Sequence, residues 1–323
     1  MLGVMSTKPR VIITEHLDSD AADWLAERTD LVHLHHDDPA FDAALAQADG
    51  LVIRTYTIIN DALLDRAPKL KVVGRAGVGL DNVDLPACQR RGVMVVSTPD
   101  ANTQAVVEYV WALVLDAKRP RAAMVDRISP ADFHGMRKRL VGPQIQEMTL
   151  GILGMGRIGR RIAQVARAIG MNVVYNDLLQ PDELHLPAGD LGQWVDKPTL
   201  WSQSDILTIH VDGRHENRHL IDAGVLEKLR YSCLLINTSR GFVIDAAALA
   251  AWARSSAAHG GGAVLDVHEP EPPPVDYALW GLGNVRLLPH LASRTHRAMS
   301  NMSWVVKDVA AVLGGERPKW PAF

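Results

Sequence analysis

The chain has 323 residues, 47% hydrophobic and 22% charged, with a net charge of −3. That length exceeds what one hydrophobic core usually holds, so two domains are expected, and the slight negative charge excludes a general binder of nucleic acid or anionic membranes. No apolar run reaches the ~18 residues of a membrane span; the most apolar stretch, AVVEYVWALVL, carries Glu108.

Two cysteines, Cys88 and Cys233, have no C-x-x-C spacing. They fit a reducing cytoplasm and offer no zinc site. The opening MLGVMSTKPR lacks a sustained apolar core, so no signal peptide is expected. Over the first hundred residues, short β-rich runs (RVIIT, LVHLH, GLVIR, KVVGR, VMVVS) alternate with helical stretches such as DAADWLAER and DALLDRA. That rhythm predicts a parallel sheet covered by helices. HLHHDD, His33–Asp38, would put His33 and His35 on one strand face; it is read as a solvated strand end, with no metal expected.

A longer helix is expected over Asn102–Ala117, then a loop-rich basic segment from Pro120 to about Met148. The runs Lys118–Arg121 and Arg137–Arg139 read as solvated surface. A second alternating series starts at TLGIL, Thr149–Leu153, and continues through NVVYN, DILTIH, CLLINT, GAVLDV and VRLLPH. RRIAQVARAIG and DAAALAAWARSSAA supply helices between them, and one final helix, about Thr295–Leu313, returns the chain to the first domain.

GILGMGRIG holds Gly154-Met155-Gly156-Arg157-Ile158-Gly159, a G-x-G-x-x-G between a predicted strand and a helix with Ile162, Val165, Ala166 and Ile169 on one face. Gly154 would permit the tight turn, Gly156 the approach of a pyrophosphate to bare amides, and Gly159 close helix–strand packing. The helix N-terminus adds favourable positive potential for that anion. The next strand ends at Asp177, 18 residues past Gly159, where a carboxylate can accept from ribose hydroxyls and repel the extra phosphate of NADP. NAD is therefore the expected cofactor. Asn176 is the rival for that contact, and a glycine turn with an ordinary capping acid is the plain alternative.

Downstream lie INTSRG (Ile236–Gly241), LDVHEPEP (Leu265–Pro272) and LLPHLASRT (Leu287–Thr295). With the central glycine motif, this set resembles the D-isomer-specific 2-hydroxyacid dehydrogenase family over nearly the whole chain. VGRAGVGLDNVDL and STPDANTQAVVEYVWAL look most like its D-3-phosphoglycerate dehydrogenases, here in a short form without a regulatory domain. The resemblance implies an α/β fold of two doubly wound parallel-sheet domains. One is a flavodoxin-like substrate domain, residues 1–101 and 294–323; the other a Rossmann NAD domain, 102–293.

It also implies a catalytic set of Arg240, Glu271 and His290. The family's glutamate stands five residues after the strand's aspartate, and counting from Asp266 selects Glu271. Glu269 also precedes a proline and is the alternative partner for His290. A histidine near neutral pKa can take the hydroxyl proton as hydride leaves C2, and a carboxylate on its other nitrogen fixes the tautomer. Arg240 can fork onto the substrate carboxylate and keto oxygen. Cofactor contacts carried over are the backbone at Arg157 and Ile158, then Asp177, Thr238 and Asp266; Ser293 is added as a pocket residue.

At the substrate end, the Gly-rich turn RAGVG exposes amides that could bind a carboxylate, with Val78 and Gly79 at the matching positions. Arg54 and Arg75, at strand ends, could hold a distal phosphate or second carboxylate. Two departures stand out: Tyr56, where many relatives have a small residue or arginine, and Asp212, where the family commonly has a proline. The expected substrate is a 2-hydroxy or 2-keto acid. 3-Phosphoglycerate is the candidate, glyoxylate or hydroxypyruvate the alternative, and a non-catalytic NAD-sensing protein the competing class. Glu271-Pro272 argues against a formate enzyme, which would carry Gln-Pro. A homodimer is expected on resemblance alone.

Overall fold

A computed structural model describes residues 8–119, 121–186 and 190–323. Most of the opening segment (1–7) and Pro120 of the first basic run thus lie outside the described residues. Contacts divide the chain into two compact units: residues through Asn102 with Ser293–Phe323, and Thr103–Ala292.

The first unit is a five-stranded parallel sheet of β1 (Arg10–Ile13), β2 (Asp30–His33), β3 (Gly50–Ile53), β4 (Val72–Arg75) and β5 (Met94–Val96), ordered β2-β1-β3-β4-β5. Its inner strands β1, β3 and β4 are largely apolar because both faces are covered, while the edge strand β2 (DLVH) stays partly exposed. Phe41, Leu45, Leu63 and Leu64 pack one face; Ala21, Leu25, Val305, Val306 and Val309 pack the other. The strand order reverses between β1 and β3, a switch point of the flavodoxin type.

The single final helix expected from the sequence is two helices, His296–Ser303 and Val306–Leu313. At the break, the Ser303 hydroxyl donates back to the Met299 carbonyl (3.0 Å) while accepting the Asp18 amide (3.0 Å). Such back-bonding bends helices. The second helix lies directly on β4, where a Cβ added at Gly74 would come within 2.4 Å of Val309 Cγ2.

The second unit is a seven-stranded parallel sheet: β6 (Thr149–Leu153), β7 (Asn172–Asn176), β8 (Gln193–Trp194), β9 (Ile206–Ile209), β10 (Leu234–Asn237), β11 (Gly262–Leu265) and β12 (Val285–Leu287). Their order is β12-β11-β10-β9-β6-β7-β8, with the reversal between β6 and β9. Helices Thr103–Lys118 and Arg157–Ile169 cover one face; Lys197–Gln203 and Ala246–Ser256 cover the other.

Two elements here differ from the sequence reading. β8 is a two-residue edge strand, too short to show a pattern. The expected loop after residue 120 contains a helix, Pro130–Arg139. The Ser129 hydroxyl accepts the Asp132 amide (3.1 Å), Pro130 opens the first turn, and Arg137, Lys138 and Arg139 close the last. This helix buries none of its residues. Lys118, read as solvated, is partly buried, and burial lowers its amine pKa. Among the described residues, no helix is long and apolar enough to cross a membrane.

Gly74→Val should cost about 1–3 kcal/mol through overpacking against Val309. Urea unfolding checks it, and adding Val309→Ala should recover part of the loss.

Candidate active site

The groups expected to bind cofactor in the second unit stand at the C-terminal ends of its strands. After β6 the chain turns at Gly154, whose φ of +97° is left-handed. Any Cβ there would lie 2.6 Å from the His210 carbonyl oxygen. Gly156 is the N-cap of helix Arg157–Ile169, and a Cβ on it would meet nothing within 4 Å. Gly159 is the reverse case, since its Cβ would stand 2.1 Å from the Gly154 carbonyl oxygen. One glycine thus permits the turn, one leaves room in front of the helix N-terminus, and one lets helix and loop touch. Arg157 is exposed, and Ile158 packs against the core.

Asp177 follows β7 and accepts the Met155 amide of the glycine loop (2.6 Å) and the Leu179 amide (3.1 Å). Its rival, Asn176, is buried, and its side-chain amide donates to the Val195 carbonyl (2.7 Å). Each Asp177 oxygen keeps a lone pair for a further donor. After β10, Asn237 organises a tight turn. Its Oδ1 accepts the Ser239 amide (2.9 Å) and hydroxyl (2.7 Å), and its Nδ2 donates to the Arg240 carbonyl (2.9 Å). Thr238 Oγ1 in this turn is buried without a hydrogen-bond partner among the described residues. A buried unsatisfied hydroxyl calls for a partner. With the open space at Gly156 it fits a dinucleotide.

Glu271 and His290 meet: His290 Nδ1 lies 2.9 Å from Glu271 Oε2. Glu271 Oε1 accepts the His268 amide (2.8 Å). Glu269, the alternative, pairs instead with Arg218. Arg240 Nη1 donates to the Ser239 carbonyl (2.8 Å), and the Arg240 turn packs against the loop bearing Glu271. A Cβ on Gly241 would sit 1.9 Å from the His268 carbonyl oxygen. The His290 imidazole and Glu271 carboxylate are 49% and 37% exposed. The bond from Glu271 raises the His290 pKa against the opposing effects of desolvation and the Arg240 charge. For Glu271, burial would raise the pKa, but the His290 bond, the His268 amide and the imidazole's charge together hold it below the ordinary carboxylate range.

His290 has φ +54°, a left-handed backbone unusual for a non-glycine residue. Asp266 holds it there. The fully buried carboxylate accepts the Leu291 amide at Oδ1 and the Ala292 amide at Oδ2, both at 2.8 Å, and the Asp266 carbonyl accepts the His290 amide at 2.9 Å. Burial raises the Asp266 pKa despite these amides. The Tyr109 phenol, which carries no sequence signal, feels the same carboxylate; burial and that negative charge push it up to about 12.

The remaining expected residues lie in the first unit. Arg54 follows β3 at the switch point. Its amide donates to Glu15 (3.0 Å), its Nη1 to the His16 carbonyl (3.0 Å) and its Nη2 to Met299 Sδ (3.1 Å). Arg75 ends β4, and its guanidinium folds over Gly77. Val78 and Gly79 follow, both partly exposed. Ser293 also falls in this unit. In the histidine-rich turn, the ligand atoms of His35, His36 and Asp37, rather than His33, come within 4.8 Å of one another.

The family model described as D-isomer specific 2-hydroxyacid dehydrogenase, NAD binding domain, matches residues 111–292. A glyoxylate reductase of Aeropyrum pernix is 32% identical over 96% of this chain and 95% of its own length. A D-3-phosphoglycerate dehydrogenase of Archaeoglobus fulgidus is 35% identical over 80% of this chain but 48% of its own, so the match spans about half of that relative. A crystal structure of a Thermus thermophilus protein superposes with a TM-score of 0.83 at 31% identity, covering 97% of this chain and 100% of that one.

Asp266→Asn should leave one amide of Leu291 or Ala292 facing an N–H donor instead of an acceptor. The expected cost is about 1–3 kcal/mol, read as a lowered melting temperature. An unchanged melting temperature would show that the turn does not depend on the carboxylate.

Proposed function

The chain belongs to the D-isomer specific 2-hydroxyacid dehydrogenase family, and on that premise we propose that His290, Glu271 and Arg240 carry the NADH-linked reduction of a short 2-keto acid and its reversal. The observation that carries this reading is the 2.9 Å contact between His290 Nδ1 and Glu271. With Nδ1 committed to the carboxylate, Nε2 is the nitrogen free to give a proton to the keto oxygen, or to take it from the hydroxyl in reverse. Glu271 fixes that tautomer and stabilises the imidazolium. Arg240 orients the substrate carboxylate and offsets charge on the keto oxygen.

NAD, when bound, supplies or accepts the hydride. Gly154, Gly156 and Gly159 with the amides of Arg157 and Ile158 would hold its diphosphate, and Asp177 its adenosine ribose. Thr238 and Asp266 would serve the nicotinamide end, and Ser293 is kept as a contact on its place in the chain.

For the substrate carboxylate we assign the turn at Val78 and Gly79. Glyoxylate or hydroxypyruvate is favoured, because the Arg54 guanidinium is already engaged by the His16 carbonyl and the Met299 sulfur. 3-Phosphoglycerate is the second reading, supported by Arg54 and Arg75 ending adjacent strands β3 and β4. A purely NAD-sensing role has no use for a formed proton-transfer pair.

We also propose a homodimer. Met124, Val125, Phe133, Leu140 and Val141 are exposed around a helix that buries none of its own residues, a surface a second copy would cover. A cytoplasmic setting suits the two free, buried cysteines.

NADH oxidation over a panel of 2-keto acids tests the activity. His290→Ala should lower kcat by about 10²–10⁴-fold, the usual worth of general acid–base catalysis, with NADH binding little changed. Near-wild-type turnover would remove the assignment. The pH sign is definite: reduction needs the imidazolium, so kcat/KM holds below the raised His290 pKa and falls as pH rises through it. Glu271→Gln removes the largest cause of the rise, so this fall should move to lower pH. Sedimentation should give twice the 35.3 kDa chain mass; a single mass would refute the dimer.

A further inference from the structure

One charged pair at the switch point of the second unit has no part in the chemistry above. Ligands of open α/β sheets gather beyond the strand ends where the order reverses, here between β6 and β9. The glycine loop leaves β6, and residues 210–217 leave β9. The two loops touch. The His210 amide donates to the Leu153 carbonyl (2.8 Å), and Gly154 has the His210 carbonyl and the Val211 nitrogen 2.6 and 3.2 Å from where its Cβ would be.

Just beyond stands Asp212, in place of the proline common in the family. Arg214 grips it with two arms of its fork, Nε to Oδ1 at 2.7 Å and Nη2 to Oδ2 at 2.5 Å. Asn217 Nδ2 donates to the Asp212 carbonyl and to Oδ1, both at 3.0 Å, which fixes the acid in turn. The two side chains stay about half exposed, at 48% and 55%. Nη1 of Arg214 makes no hydrogen bond among the described residues, so part of the fork still faces outward. The carboxylates acting on Arg214 are Asp212 first, then Glu216 and Asp177, and together they raise its pKa. Asp212 in turn feels the charge of Arg240. The pair thus follows a loop that touches the glycine turn, and the proposed ribose acid Asp177 holds the Met155 amide of that same turn.

We propose that Arg214, clamped by Asp212, sets nucleotide selectivity: its guanidinium offsets Asp177 and meets a 2′-phosphate, so this chain binds NADPH as well as NADH. The inference rests on the cofactor assignment above. Asp177 alone would repel the extra phosphate. Asp212 cancels much of the guanidinium's charge but fixes its plane, so what Arg214 offers a phosphate is the donor edge that the clamp leaves unused.

Direct titration of the full chain with NADH and with NADPH, read by nucleotide fluorescence without substrate, tests this. Arg214→Ala should raise the ratio Kd(NADPH)/Kd(NADH) by roughly tenfold, the worth of one hydrogen bond to a charged group, with Kd for NADH nearly unchanged. Arg214→Lys should keep most of the wild-type ratio. An unmoved ratio in Arg214→Ala would mean a solvated ion pair and overturn the proposal. Equal weakening of both nucleotides would place the guanidinium on the shared diphosphate and overturn it too. Binding of neither nucleotide by the wild-type chain would instead defeat the cofactor assignment itself.

Discussion

Two backbone amides, those of Leu291 and Ala292, converge on the buried Asp266 carboxylate, and the meeting of Glu271 with His290 depends on that grip. A left-handed backbone at a residue other than glycine costs about 1–3 kcal/mol and persists only when its surroundings over-determine it. Here a carboxylate accepts two amides beyond His290, and the same residue's carbonyl accepts the amide of His290 itself. The imidazole is thereby directed at a carboxylate fixed from its far side by the His268 amide. A proton-transferring pair needs this order of support, because neither side chain is sealed from water.

The doubly wound sheet explains why these residues gather. Parallel strands deliver every strand end to one edge, so the loops after β6, β7, β9, β10 and β11 share it. Those loops bring the glycine turn, Asp177, Asp212 with Arg214, Arg240, and Asp266 with Glu271. The apolar interior of each strand supports the edge without taking part in its chemistry. Glycines pay the steric toll at three contacts along it: Gly154 against His210, Gly159 against Gly154, and Gly241 against His268.

What the sequence reveals follows the range of the forces involved. β6 and β7 are readable to the residue because their apolar runs are local and end in glycine or in Asn-Asp. The glycine motif is readable because its spacing and its flanking strand and helix are local in sequence, although the His210 carbonyl that crowds Gly154 lies far along the chain. The proline that follows does not separate Glu269 from Glu271; the family spacing from Asp266 picks Glu271, and the structure gives Glu269 to Arg218 and Glu271 to His290. The helix Pro130–Arg139 had cap signals but no apolar face, so periodicity missed it. The break after Ser303 sits where its hydroxyl bonds back to Met299 and also accepts the amide of Asp18, 285 residues away. Asp266 is expected as a cofactor contact, and its further part in the His290 turn, through the Leu291 and Ala292 amides, carries no sequence signal. Tyr109 likewise acts through a partner far along the chain.

The state of the His290 ring tests the central claim most directly. In ¹⁵N-labelled protein, with the signal assigned by its loss in His290→Gln, the neutral imidazole should carry its proton on Nδ1, and its titration midpoint should lie above those of solvated histidines. A neutral ring protonated on Nε2, or a midpoint at or below theirs, would contradict a Glu271-anchored acid–base residue.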